Sequence, residues 1–181
     1  MEYSKKIAQW VELLESSDGL TTFQKLHTVN DFFNDIEYEW DDYNWDEKDY
    51  WATPFEFMQK GLGDCEDYAI GKYFTLKMMG IKEENLRLMH VTTTDGTAHM
   101  VLSVLYDNEY VILDNITDKI ELFTERKDLP INTYSFNNDG FWSDGKLIGN
   151  GYKVFKTWRD VVERFREEYE EYTSPFEFDE E

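Results

Sequence analysis

The feature that most limits what this chain can fold into is a change of period near Gly80. Before it, apolar residues recur at helical spacing. From Leu86 onward they alternate, and β-branched residues take over. Helices first, sheet second and one more helix at the end make an α+β pattern. No internal repeat or low-complexity linker interrupts the order, so residues 1–181 read as a single domain.

Residues 5 to 15 place Ile7, Trp10, Val11 and Leu14 at helical spacing, and Asp18-Gly19 stops that helix. Thr21 with Gln24 resembles a capping box for a second helix carrying Phe23, Leu26, Val29, Asn30 and Phe33 on one face. Residues 35 to 50 mix acidic groups with Trp40, Tyr43, Trp45 and Tyr50 without a stable period, which predicts a structured loop packed by its aromatics. Thr53-Pro54-Phe55-Glu56 is a helix start with a capping Thr and Pro at the first helical position, and Gly61 and Gly63 end it. Asp64 then caps a helix from about Cys65 to Met79. Residues 86 to 94, 97 to 106 and 109 to 116 read as antiparallel strands joined by turns at Asp95-Gly96 and Asp107-Asn108. Short strands are expected at 131 to 136 and 151 to 156. Thr157 with Asp160 opens a last helix running into the acidic tail Phe176 to Glu181.

With 39 acidic and 18 basic residues, the net charge of -21 repels phosphate backbones and anionic headgroups, which argues against nucleic-acid or membrane-surface partners. One cysteine excludes an intrachain disulfide and a Cys-rich zinc site. No run of about 18 apolar residues exists, and the first residues lead into an amphipathic segment, unlike a signal peptide.

That one thiol, Cys65, falls in the first turn of a helix. There the helix dipole and unpaired N–H groups favour thiolate and can serve an oxyanion. Asp64, Glu66 and Asp67 oppose this, because like charges raise a thiol's pKa. An imidazolium, a divalent cation or both must offset them. His27, His90 and His99 are the available bases. His27 sits in an amphipathic helix and reads as a surface or packing residue. A two-residue turn at Asp107-Asn108 puts Val101 opposite Asp114 and makes His99 a diagonal neighbour of Asp114 on the same face. A two-residue turn at Asp95-Gly96 puts His90 opposite Val101, equally near Asp114. Periodicity leaves His90 and His99 as rivals.

Gly63-Asp64-Cys65-Glu66-Asp67-Tyr68-Ala69-Ile70, followed by Lys72-Tyr73, resembles the signature of the bacterial transglutaminase-like cysteine proteinases. Val29-Asn30, Phe32-Phe33-Asn34 and Asp49-Tyr50-Trp51-Ala52-Thr53-Pro54 resemble that family's upstream segments. Ala98-His99-Met100-Val101-Leu102 and Leu113-Asp114-Asn115 resemble its histidine and aspartate motifs. The resemblance spans roughly residues 25 to 170 and selects His99 over His90. It implies a papain-like or transglutaminase-like core, in which the nucleophile helix packs on an antiparallel sheet presenting His and Asp. It further implies a catalytic Cys65, His99 and Asp114, with Ca²⁺ held by Asp64, Glu66 and Asp67. Adhesin-releasing members are periplasmic proteases that cleave a large surface adhesin near its N-terminus to free cells from a biofilm. An inner-membrane cyclic-di-GMP receptor sequesters them.

The expected activity is therefore a calcium-dependent cysteine endopeptidase. The alternatives are an acyltransferase or amidase on the same Cys-His-Asp core, and a calcium-binding interaction protein with a vestigial triad. Placement in the periplasm rests on the resemblance alone. The second oxyanion donor is open between Trp45 and Trp51.

Overall fold

A computed structural model describes residues 4–129 and 131–174 of the chain. The expected tail Phe176 to Glu181 lies outside them. Helix α1 (Lys5–Glu15) starts on Ser4, whose side chain accepts the Ile7 N–H, and α2 (Thr22–Asn34) starts on the Thr21/Gln24 capping box. A short strand β1 (Glu37–Tyr38) and a single helical turn α3 (Asp41–Asn44) occupy the acidic aromatic segment. Next come α4 (Pro54–Lys60), β2 (Leu62–Gly63) and α5 (Cys65–Met78). Thr53 and Glu56 satisfy each other's N–H groups at the start of α4, and Gly61 closes it at φ 74, a left-handed conformation that glycine adopts without a side-chain clash.

Strands β3 (Leu86–Thr92), β4 (Ala98–Tyr106), β5 (Glu109–Leu113), β6 (Glu121–Leu122), β7 (Ile131–Phe136), β8 (Phe141–Ser143) and β9 (Lys146–Gly149) form one antiparallel sheet in the order β6-β5-β4-β3-β7-β8-β9. A short helix α6 (Gly151–Val154) leads into α7 (Lys156–Thr173). The two faces of the sheet divide by parity. Leu86, Leu88, Met100, Leu102, Val104, Val111, Leu113 and Phe136 join the main core with the helices, while Met89, Val91, Val101 and Ile112 form a smaller cluster with Leu129. Helix α5 is buried on all sides between the sheet and α2, α4 and α7: 11 of its 14 residues are buried, so it shows no amphipathic stripe.

The β4–β5 turn is two residues long with positive φ at both Asp107 and Asn108, and pairs Tyr106 with Glu109 as expected. Five sequence expectations need correction. The Asp95-Gly96 turn holds three residues, 94 to 96: the Thr93 N–H donates to Thr97 O, and Gly96 sits at φ 87. That extra residue pairs His90 with Met100, not Val101. Residues 151 to 154 are helical, because the Asn150 side chain accepts the Lys153 N–H and caps the turn. Helix α7 starts at Lys156 on Phe155 without a side-chain cap, and Asp160 pairs with Lys156 instead of capping with Thr157. Phe23 is exposed at the start of α2, its ring lying over His27 at 4.4 Å.

Candidate active site

Cys65 is the first residue of α5, where Asp64 ends the extended approach and the helix begins. Its thiol donates to Glu66 Oε2 at 3.0 Å. Burial pushes the thiol's pKa well above its ordinary value, and the charge and hydrogen bond of Glu66, then the charge of Asp64, push it further; a contact with the Met100 backbone opposes them. The carboxylates beside the sulfur thus oppose its thiolate form.

Cys65 lines a cleft of about 230 Å³ with His99, His90, Met100, Trp51 and Glu66. The His99 Nε2 stands 2.8 Å from Asp114 Oδ1. Asp114 is almost wholly buried, and its other oxygen accepts from Arg126 Nη2 at 2.7 Å. Burial raises the Asp114 pKa, but the hydrogen bond and charge of His99, then those of Arg126, outweigh it and hold the carboxyl below its ordinary value. An ionised Asp114 can only accept, so His99 Nε2 is the donor in this pair.

His90 also reaches the cleft. Its pairing with Met100 puts it one step out of phase with His99, and its ring stacks on Tyr134 at 4.7 Å and 5°. Burial lowers its pKa, against an opposing pull from Asp49. Trp51 lines the cleft with its Nε1 already given to Asp49 Oδ1 at 2.9 Å, and Trp45 packs on Tyr50. His27 lies half-buried on α2 against Phe23.

Behind the thiol the carboxylates gather. Oxygens of Asp41, Asp64 and Asp67 lie within 4.8 Å of one another and all three residues are buried; Asp41, Glu66 and the exposed Asp49 make another group at the same spacing. Asp67 accepts the N–H groups of Ala52 at 2.9 Å and Asp64 at 3.2 Å. One oxygen each of Asp41 and Asp64 is buried with no hydrogen-bond partner. Burial raises the pKa of Asp64, and the charges acting on it, from Glu66, Asp41 and Asp49, are all acidic. Buried, unpartnered, mutually repelling carboxylate oxygens are what a hard cation such as Ca²⁺ binds. The site residues therefore fit a divalent ion.

The model for bacterial transglutaminase-like cysteine proteinases matches residues 6–146. The chain belongs to the bacterial transglutaminase-like cysteine proteinases. It is similar to Legionella pneumophila LapG, at 37% identity over 89% of this chain and 88% of that one, with a TM-score of 0.79. The EGTA-treated form of LapG superposes at a TM-score of 0.80, with the same identity and coverage. The calcium-bound form gives 0.78 at 36% identity, over 88% of this chain and 89% of that one. Among curated proteins none matches. As in other members of this cysteine protease family, the cysteine-bearing helix packs on an antiparallel sheet. No helix among the described residues is long and apolar enough to cross a membrane.

Sequence reasoning missed several residues that hold this family site together. Arg126 clamps Asp114, and Asp41 and Asp49 extend the carboxylate cluster from a segment read only for its aromatics. Asn34 Nδ2 donates to the Asp114 carbonyl at 2.9 Å while Lys72 Nζ holds Asn34 Oδ1 at 2.7 Å. Asn34 and Lys72 lie in the segments quoted above, but spacing gave neither of them a task.

Proposed function

We propose that this chain is a calcium-dependent cysteine endopeptidase with Cys65 as nucleophile, His99 as general base and acid, and Asp114 as the group that orients His99. The observation that carries this reading is the 2.8 Å pairing of His99 with a buried Asp114 beside the cleft that Cys65 lines. In the reaction, the Cys65 thiol leaves Glu66 and gives its proton to His99 Nδ1. The sulfur attacks the peptide carbonyl carbon, and the Cys65 N–H at the start of α5 donates to the oxyanion. His99 returns the proton to the departing amine, then takes one from the water that hydrolyses the thioester. Asp41, Asp64 and Asp67, with Glu66 and Asp49 beside them, would hold the ion. Bound there, Ca²⁺ supplies positive charge that offsets the carboxylates around the thiol.

The substrate that accompanies this reading is the N-terminal region of a large surface adhesin, cut in the periplasm to release a biofilm. The regulatory partner is an inner-membrane cyclic-di-GMP receptor. Both come with the family resemblance, and the 37% identity to L. pneumophila LapG supports them.

The test is iodoacetamide labelling of the chain at neutral pH with Ca²⁺ or with EGTA, followed by incubation with adhesin N-terminal fragments. Cys65 is expected to label faster than a free thiol in a peptide, and about 10-fold or more slower once calcium is chelated, from the charge left beside it. Fragment cleavage is expected to vanish in Cys65→Ala. A Cys65 no more reactive than a peptide thiol would sink the protease reading. Amine transfer without cleavage would favour the acyltransferase.

A further inference from the structure

Asp114 offers two oxygens, and both are taken. Oδ1 meets His99 at 2.8 Å and the Ile116 N–H at 3.3 Å, while Oδ2 accepts from Arg126 at 2.7 Å. Arg126 is itself buried, and its Nε and Nη2 fork onto Asp128 at 2.9 and 2.7 Å. The Asp128 carbonyl in turn accepts the Thr94 N–H at 3.1 Å, which ties this segment to the loop that leads into the strand of His99. We propose that Arg126 is a positioning residue of the active site, clamping the Asp114 carboxylate from the side opposite His99 so that its orientation and charge stay fixed throughout turnover.

The physical need arises from what His99 does, so the inference rests on the catalytic reading above. During each cycle the imidazole alternates between neutral and protonated. A buried carboxylate whose only counter-ion were that imidazole would stand uncompensated whenever the ring is neutral. Arg126 cannot lose its proton at any working pH, so it is a counter-ion that does not come and go. The bond from Arg126 also removes the rotation about the Asp114 side chain that would let Oδ1 drift from His99 Nε2. Stability alone does not ask for this arrangement, since buried ion pairs contribute little compared with apolar residues of similar size.

A double-mutant cycle read by the second-order rate of Cys65 alkylation by iodoacetamide, on the full chain in saturating Ca²⁺, tests this. Arg126→Met is expected to slow alkylation about 10-fold through a misplaced His99. In an Asp114→Asn background, the same substitution is expected to change the rate by less than about 2-fold, because the residue acts through Asp114. Arg126→Lys, which keeps the charge without the fork, should recover part of the rate. Should Arg126→Met fail to fold, Asp128→Asn on the half-exposed outer carboxylate loosens the same guanidinium. It is expected to slow the parent about 3-fold and the Asp114→Asn variant not at all. Equal slowing in both backgrounds, or none in the parent, overturns the inference while leaving the protease reading intact. A parent thiol that is not activated overturns both.

Discussion

At the scale of single residues, Lys72 is the group whose setting has the clearest measurable consequence. It is wholly buried on α5, and desolvation brings its pKa from 10.5 to about 7 although Asp114, Asp118 and Asp31 pull it upward. Lowering a lysine's pKa on folding means that the unfolded chain binds the extra proton between those two values. The cost of burying the ammonium is therefore fully present below about pH 7, and is relieved as pH rises toward 10.5. Lys72→Met lacks this titration. Urea midpoints for parent and variant at about pH 6, 7.5 and 9 are expected to show the parent gaining steadily on the variant. A pH-independent gap would mean that Lys72 keeps its ordinary proton affinity inside the fold. Asn34 links the ammonium to the Asp114 carbonyl, so the variant is also expected to alkylate more slowly at Cys65.

At the scale of elements, α5 is held by contact rather than by propensity. Gly71 shows this: a Cβ there would stand 2.5 Å from the Phe33 ring of α2. Alanine ordinarily favours a helix interior by about 1 kcal/mol over glycine. Here Gly71→Ala is expected to destabilise the protein by about 1–3 kcal/mol, because the rings of α2 must give way. Equilibrium unfolding in urea measures it, and a stabilised variant would refute the close packing. Elements announced by local chemistry were legible in the sequence. The capping box at Thr21, the Thr53-Pro54-Glu56 start and the two positive-φ residues at Asp107-Asn108 act within four positions of themselves. The last of these set the register that brings His99 to Asp114. Asp95-Gly96 was ambiguous, because a two-residue turn and a three-residue loop ending in glycine share that dipeptide. The side chains of Thr93 and Asp95, bonding to the Thr97 N–H, accompany the longer form. Apolar alternation through Tyr152 and Val154 imitated a strand where the Asn150 cap makes a helical turn. Arg126, Asp41 and Lys72 were out of reach for another reason: the contacts of Arg126 with Asp114, Asp41 with Asp64 and Lys72 with Asn34 span 12 to 38 residues, and nothing local marks a charged residue as buried.

At the scale of the whole molecule, one core cluster runs from Ile7 in α1 to Phe165 in α7 and includes both sheet and helices. We propose that the chain unfolds as a single unit, with the carboxylate cluster as its weakest electrostatic point. Calorimetry is expected to give one transition. Calcium at about 100 times its dissociation constant should raise its Tm by about 5–10 °C, and sodium chloride of equal ionic strength much less. Two separate transitions would divide the chain into independent parts. The enclosure of α5 on every side has one more consequence. If Cys65 is the nucleophile proposed above, it is fixed to a walled-in helix and cannot travel to its target, so the target must come to it. The cleft that Cys65 lines, at about 230 Å³, is smaller than the roughly 300–1,000 Å³ of common ligand pockets. On the proposed reading, a cleft of that size favours an extended stretch of polypeptide over a folded surface, so linkers and frayed segments are the expected targets and folded domains are expected to be spared.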